Sequence, residues 1–337
     1  RTLAKDVSYT LLAYGWAGAL KTAILQDDVA AADAGKAKLQ VLNLATDAGT
    51  LDIYLTGNDD LLDDATALTT GLAGGATLSH TSISAGSYRL RVTGNGDKTD
   101  LRLDVTGLAL TTTQVASLLL VPGPGGVLVH AVLAVQQGTV TALSNQQARV
   151  RVVSAVGGNG RVTASVGGST LASGIVSPTI GNYAQVTANT GALPVVLAVN
   201  GAAVPVADLA VAAGGDYTLL VWGPAGAPQT TLVADDNRLP ANSGNAKVRL
   251  VHVVSGLDAA LTLTADFSAI AASIAGGQAS AYASVVASSA MRLEVNSPLS
   301  STALYTLSSV NVLAKGLYTV FMMGDSASPV GVLRRER

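Results

Sequence analysis

Asn58-Asp59-Asp60-Leu61-Leu62-Asp63-Asp64 crowds five oxygen-bearing side chains into seven positions. Carboxylate oxygens suit a hard divalent cation such as calcium, and Asp59, Asp60, Asp63 and Asp64 are the candidate ligands. The run lacks the spaced Asp-x-Asp-x-Asp-Gly ladder of an EF-hand, so a solvated acidic loop competes with calcium and is preferred. Asp27-Asp28 and Asp235-Asp236 stand where a cation would stiffen a linker, although Gln136-Gln137 hold the corresponding place once.

The remaining reactive side chains do not assemble into a catalytic pattern. His80, His130 and His252 lie far apart in sequence, and the positions matching His252 elsewhere are Asn43 and Ser154. Ser288-Ser289 and Ser300-Ser301 lack the Gly-x-Ser-x-Gly turn that exposes a nucleophile. Gly157-Gly158-Asn159-Gly160 and Gly123-Pro124-Gly125-Gly126 are not followed by Gly-Lys-Ser/Thr, which makes them turns rather than phosphate loops. The chain has no cysteine, which removes disulfides and thiolate chemistry. The expectation is a protein that is not an enzyme and needs no cofactor. Trp16 and Trp222, at near-equivalent turn positions, either stack on sugar rings, seal a subunit interface or pack across their own hairpin.

Composition narrows the partners. Apolar residues make up 49% of the 337 and charged residues only 12%, with a net charge of −2. No basic patch offers a footprint for nucleic acid. A charge-poor surface repels itself weakly and favours self-association. The most apolar window, Val115 to Val135, is cut by Pro122-Gly123-Pro124-Gly125-Gly126, so no membrane span is expected.

The elements that would position these residues repeat along the chain. YTLLAYGWAGALKTAILQDD (9–28), YTLLVWGPAGAPQTTLVADD (217–236) and YTVFMMGDSASPVGVLRRER (318–337) each read as strand, tight turn, strand, and SLLLVPGPGGVLVHAVLAVQ (117–136) is a weaker copy. The turn glycines Gly15, Gly123, Gly223 and Gly324 are 108, 100 and 101 residues apart. A second signature opens each complete repeat: AKLQVLNL at Ala37, ARVRVVSA at Ala148 and AKVRLVHV at Ala246. The domains read as an N-terminal hairpin at 1–28 and repeats at 37–140, 148–236 and 246–337. The first repeat shows about seven alternating strands, the count of an immunoglobulin-like sandwich. Asn58 to Gly75 reads as a loop insertion. The fold expected is all-β: three tandem immunoglobulin-like antiparallel β-sandwiches after a hairpin from an incomplete fourth repeat.

AKLQVLNLATDAGTLDIYLTG (37–57), AGSYRLRVTG (85–94) and AKVRLVH (246–252) resemble domain-of-unknown-function family 4397, tandem β-sandwich domains of secreted or surface-attached bacterial proteins. The resemblance covers essentially the whole chain and implies an extracytoplasmic location. It brings no catalytic residues with it.

The segment 1–28 is a terminal hairpin with no strands of its own repeat before it, and a lone hairpin is marginal in water. Either the front half belongs to a longer precursor, or the hairpin is completed by another copy, through Val7, Tyr9, Leu11, Ala13, Trp16, Ala23 and Leu25. A head-to-tail contact of that kind propagates into a fibre. The expected function is a structural subunit of an extracellular bacterial filament, surface assembly or biofilm, its partner being other copies of itself. The alternative is a monomeric cell-surface adhesion module that binds glycan through the loops at the sandwich ends.

Overall fold

The computed structural model describes residues 3–188 and 191–337, and every regular element among them is a β-strand. Arg1 and Thr2 of the N-terminal segment, and Asn189 and Thr190 within the second repeat, lie outside the described residues. Among the described residues no helix is long and apolar enough to cross a membrane. The chain forms two compact units, Arg1–Gln147 and Ala148–Arg337.

The first unit begins with an antiparallel hairpin of β1 (Tyr9–Tyr14) and β2 (Lys21–Gln26). A two-sheet sandwich follows. In one sheet the opening strand Lys36–Asn43 lies between Val115–Pro122 and Thr77–Ser84, with Val129–Val135 and Val140–Leu143 beyond. The facing sheet contains Thr69–Leu72, Leu51–Thr56, Gly86–Gly94 and Asp97–Leu110. Leu39, Val41, Leu118 and Leu120 from the first sheet meet Ile53, Leu90, Val92 and Leu103 from the second. Period-2 alternation sends these side chains inward. The 58–68 stretch is loop, and the short strand Thr69–Leu72 ends what the sequence reads as a single insertion.

The second unit holds two sandwiches built the same way. Their opening strands, Gln147–Val156 and Asn245–His252, sit beside Asp216–Gly223 and Leu317–Asp325, the first strands of terminal hairpins closed by Gln229–Ala234 and Ser328–Arg335. Each sandwich has its own apolar core, around Val150, Val162, Leu197 and Leu219 in one and Val248, Leu261, Leu293 and Val320 in the other.

The sheets are mixed rather than wholly antiparallel. Every opening strand pairs in parallel with the first strand of its terminal hairpin: Gln40 with Ser117, Arg151 with Thr218 and Arg249 with Thr319. A parallel neighbour requires a long crossover, and the facing sheet is that crossover. In the second and third sandwiches chain entry and exit therefore lie at the same end, on the two strands that flank the first strand of the terminal hairpin, whereas in the first sandwich Val140–Leu143 takes the chain back to the opposite end. Lys247 N–H donates to Gly316 O at 2.9 Å, and Glu336 N–H donates to Leu317 O at 2.7 Å. Arg149 N–H to Gly215 O and Asp235 N–H to Asp216 O repeat the arrangement in the second sandwich.

The hairpin copies the other terminal hairpins in detail. Its Tyr9 hydroxyl accepts the Ala4 N–H at 3.0 Å, as Tyr217 accepts Ala212 at 2.8 Å and Tyr318 accepts Leu313 at 2.9 Å. A tyrosine hydroxyl bonded to backbone a few residues upstream is the corner found in immunoglobulin-like sandwiches. Gly15, Gly223 and Gly324 turn with φ of +101°, +89° and +78°, a region that side chains avoid. Gly123 does not share that conformation, and the ungapped alignment of its hairpin is one residue out on the strand. Ser117, not Leu118, takes the place of Thr218 beside the opening strand.

Among the described residues no sheet covers one face of the hairpin. Tyr9, Leu11 and Ala13 share that face with Ile24, because Leu11 lies across from Ile24. Leu11 is 68% exposed, whereas its counterpart Leu219 is 0% exposed inside a core. Leu219→Ala is expected to cost about 2–5 kcal/mol and Leu11→Ala less than about 0.5 kcal/mol, read from urea denaturation of the two variants.

Candidate functional site

The acidic loop does not gather into a metal centre. Among the described residues no group of three or more His, Asp or Glu side chains is placed to hold a metal ion. Asp60 instead accepts the Gly57 N–H at 2.7 Å, and the Lys98 ammonium donates to the carbonyls of Asp63 at 2.6 Å and Ala65 at 3.0 Å. Lys98 thus ties down the backbone of the loop that carries Asp59, Asp60, Asp63 and Asp64. The linker acids are likewise met by the protein's own cations: Asp236 pairs with Arg238 at 2.6 Å and Lys247 at 3.0 Å. Burial opposes the Asp236 charge, but these two hydrogen bonds outweigh it and hold its pKa below the usual range.

His130 and His252 are bonded to backbone groups. His252 is buried, with Nδ1 accepting the Val254 N–H at 3.3 Å and Nε2 against the Ala259 carbonyl at 3.1 Å, the pattern of a neutral ring. His130 Nδ1 accepts the Asn145 N–H at 3.0 Å.

The most organised polar site joins the two sandwiches of the second unit. Their terminal-hairpin sheets face each other through Val153, Ala155 and Leu220 from one and Val251, Val253 and Phe321 from the other. Trp222 closes one side against Gly277, where an added Cβ would stand 2.2 Å from the indole ring. Within this apolar seam lie two buried arginines. Arg151 donates through Nη1 and Nη2 to both carboxylate oxygens of Glu336 at 2.7 Å, and through Nε to Thr218 Oγ1 at 2.8 Å. Arg249 donates to Asp235 Oδ1 at 2.6 Å and to Thr319 Oγ1 at 3.1 Å. Each arginine pairs with the acid that ends the other sandwich's hairpin, so the contact is reciprocal about a quasi-twofold axis.

Tyrosines complete the network. Tyr183 lies 4.5 Å from the Arg151 guanidinium and donates its hydroxyl to Asp235 Oδ2 at 2.7 Å, and Tyr282 lies 4.7 Å from Arg249. Burial raises both phenols, Tyr282 to about 12. For Arg151, burial opposes the charge, but Glu336 more than compensates and raises the pKa.

The hairpin docks on the first sandwich by the same face. Leu12, Tyr14 and Leu25 pack on Leu42, Leu44 and Leu119. Thr10 Oγ1 donates to Asp27 Oδ2 at 2.6 Å, matching Thr218 to Asp235 at 2.6 Å. The partners, however, are uncharged. Gln40 stands where the arginines stand, beside Ser117. Gln136 stands where Asp235 and Glu336 stand, its N–H bonded to Val115 O. Gln136 exchanges two hydrogen bonds with the Val29 backbone, at 3.1 Å and 2.9 Å. A cavity of about 30 Å³ remains, lined by Thr10, Asp27, Gln40, His80, Ser117 and Gln136 among others.

The structure divides the hairpin residues expected at an interface. Tyr9, Leu11 and Ala13 lie on the free face, while Ala23, paired with Leu12, and Leu25, paired with Thr10, lie on the docked face. Val7 precedes β1 and Trp16 sits in the turn, where its carbonyl accepts the Ala19 N–H at 2.8 Å. The structural counterpart of Trp222 is Tyr14, packed on the docked face.

Fold and site define a tandem β-sandwich protein whose domains associate through an outer sheet face. The model of a domain of unknown function, DUF4397, matches residues 1–54 and 148–259, one stretch in each unit. No curated protein matches the sequence. Solved structures with some likeness include a candidate cell adhesion protein from Bacteroides uniformis, 12% identical over 60% of this chain and 98% of that one, with a TM-score of 0.26. A candidate cell adhesion protein from Parabacteroides distasonis is 11% identical over 90% of this chain and 99% of that one, with a TM-score of 0.20. The Bacillus anthracis TIE protein is 11% identical, with a TM-score of 0.17; the match covers 96% of this chain and 58% of that one. Scores this low carry no argument about the site.

Breaking the network from one side strands a charge. Arg249→Met is expected to destabilise the protein by about 3–5 kcal/mol, while Arg249→Met with Asp235→Leu recovers most of that loss in urea melts. The histidines set a pH response. Burial lowers His80, with Lys38 adding to it, and burial lowers His130 and His252. The unfolded chain therefore binds protons near pH 6.5 that the folded chain refuses, so stability falls as pH drops through that range. Denaturation at about pH 7.5 and 5.5 should show the loss, and a flat profile would contradict it.

Proposed function

We propose that this chain is a structural subunit of an extracellular bacterial surface assembly, without chemistry of its own, and that another copy covers the free face of its N-terminal hairpin. One observation carries the reading: Leu11 is exposed where the equivalent Leu219 is buried in a core. Fully covering that face stabilises Leu11 and Ile24 by about 1.5–3 kcal/mol each. Only 12% of the residues are charged, so repulsion between copies is weak. Each sandwich already contains its own terminal hairpin, so the free hairpin adds its strands to an edge or face of its neighbour. Repeated head to tail, that addition grows a filament.

A second reading, a surface adhesion module, is favoured by Phe267. It is 76% exposed at a hairpin tip, with φ of +69°, and Arg292 lies 5.4 Å from its ring. The matching turn of the preceding repeat has Gly167-Gly168, which makes Phe267 a strained choice suited to stacking on a sugar ring.

Electron microscopy and sedimentation distinguish the two readings. The intact protein is expected to form fibres or larger species, and Leu11→Glu with Ile24→Glu to leave it monomeric. Filaments that persist in the double variant would remove the first reading. Glycan-array binding lost in Phe267→Gly would establish the second.

A further inference from the structure

The quasi-twofold match between the two sandwiches of the second unit breaks down where their terminal hairpins turn. Asp325, at the turn of the last hairpin, reaches across the seam, and its Oδ2 accepts the Gly158 N–H at 3.2 Å. Its Oδ1 stands only 2.6 Å from where a Cβ on Gly157 would lie, so this side is tightly filled. Gly157 N–H donates to Gly223 O and Ser255 N–H donates to Gly324 O, which fixes the correspondence of the two sides. By that correspondence Gly158 answers to Gly256 and Asp325 to Pro224. Gly256 keeps the turn of Gly158, with φ of +72° against +64°. Pro224, however, has no side-chain acceptor to offer the Gly256 N–H. Where the other side is filled, a cleft of about 420 Å³ opens, lined by both residues.

The walls of this cleft carry the groups that hold a sugar. Trp222 lies half-buried along it, fixed by the close approach of Gly276 and Gly277. Gln229 and Asp258 also line it, both exposed, and among the described residues neither side chain bonds to another protein group. The filled side has none of the three, since Met323, Val330 and Gly160 stand in their places. A pyranose ring presents C–H groups to an aromatic wall, and its hydroxyls both donate and accept. The volume falls in the range of about 300–1,000 Å³ usual for small-ligand sites. Asp258 is the one charged residue lining the cleft among the described residues, and its charge repels an anionic sugar.

We propose that this cleft binds a neutral oligosaccharide. One pyranose ring lies against Trp222, its hydroxyls donate to Asp258 and exchange hydrogen bonds with Gln229, and a hydroxyl oxygen accepts the Gly256 N–H as Asp325 accepts that of Gly158. The site uses neither Leu11 nor Phe267, and it shares with the adhesion reading only the class of ligand.

The test screens the full chain on an array of neutral, sialylated and uronate-bearing oligosaccharides, then titrates a bound neutral glycan by calorimetry. Asp258→Asn is expected to weaken that binding about tenfold. Pro224→Asp, which supplies the carboxylate found on the filled side, is expected to abolish it with no loss of stability in urea. Should Pro224→Asp fail to fold, Asp258→Asn, a change at an exposed side chain, decides alone. Phe267→Gly should leave the titration unchanged. Preference for acidic glycans, or neutral binding that survives either change in the cleft, would overturn the proposal. Binding lost only in Phe267→Gly would also overturn it and leave the adhesion reading standing. If no glycan binds at all, both fall.

Discussion

A buried guanidinium tolerates no unmet hydrogen-bond donor and no unanswered charge. Arg151 and Arg249 meet that demand only when four things hold together. The opening strand must lie in parallel register with the terminal hairpin, so that each arginine stands beside a threonine. The hairpin must run far enough to end on Asp235 or Glu336. The two sheets must face each other closely enough for each acid to reach the opposite arginine. Tyr183 and Tyr282 must come from the neighbouring edge segments. The apolar residues of the seam, from Val153 to Phe321, would accept many relative placements, and the reciprocal pairs select one.

The first unit shows what remains when the charges are removed. Gln40 and Gln136 occupy the arginine and acid positions, the hairpin still docks through leucines, and a small cavity lies where a longer side chain would reach. Gln136 turns its amide to the Val29 backbone, so it fastens the linker instead of a partner domain. The same geometry thus works as a charged junction in one unit and a neutral one in the other.

Much of this architecture was legible in the sequence. Alternation in AKVRLVHV and its relatives marked the opening strands, and the glycines at 15, 223 and 324 marked real turns of positive φ. The strands Thr69–Leu72 and Val140–Leu143 were too short to carry a pattern. The arginine network was hidden because its partners are up to 185 residues apart, and an arginine at an outward strand position looks solvated until a second sheet covers it. A clue was present: alternation gives way to an apolar run after Arg151 and Arg249, which signals burial on both faces. Cross-strand register was equally invisible. Only the hairpin geometry shows that Ile24 shares a face with Leu11, whereas Ala23 and Leu25 point the other way.

Entry and exit at the same end also decide how either sandwich of the second unit would bear a pull on its two ends. A load applied at one pole does not shear the parallel pair along its whole length. It peels the closing strand from its neighbour, breaking bonds one after another from Glu336 or Asp235 inward. Under tension such a module yields gradually, like a zipper, and its resistance resides in the two ion pairs that clamp the first teeth.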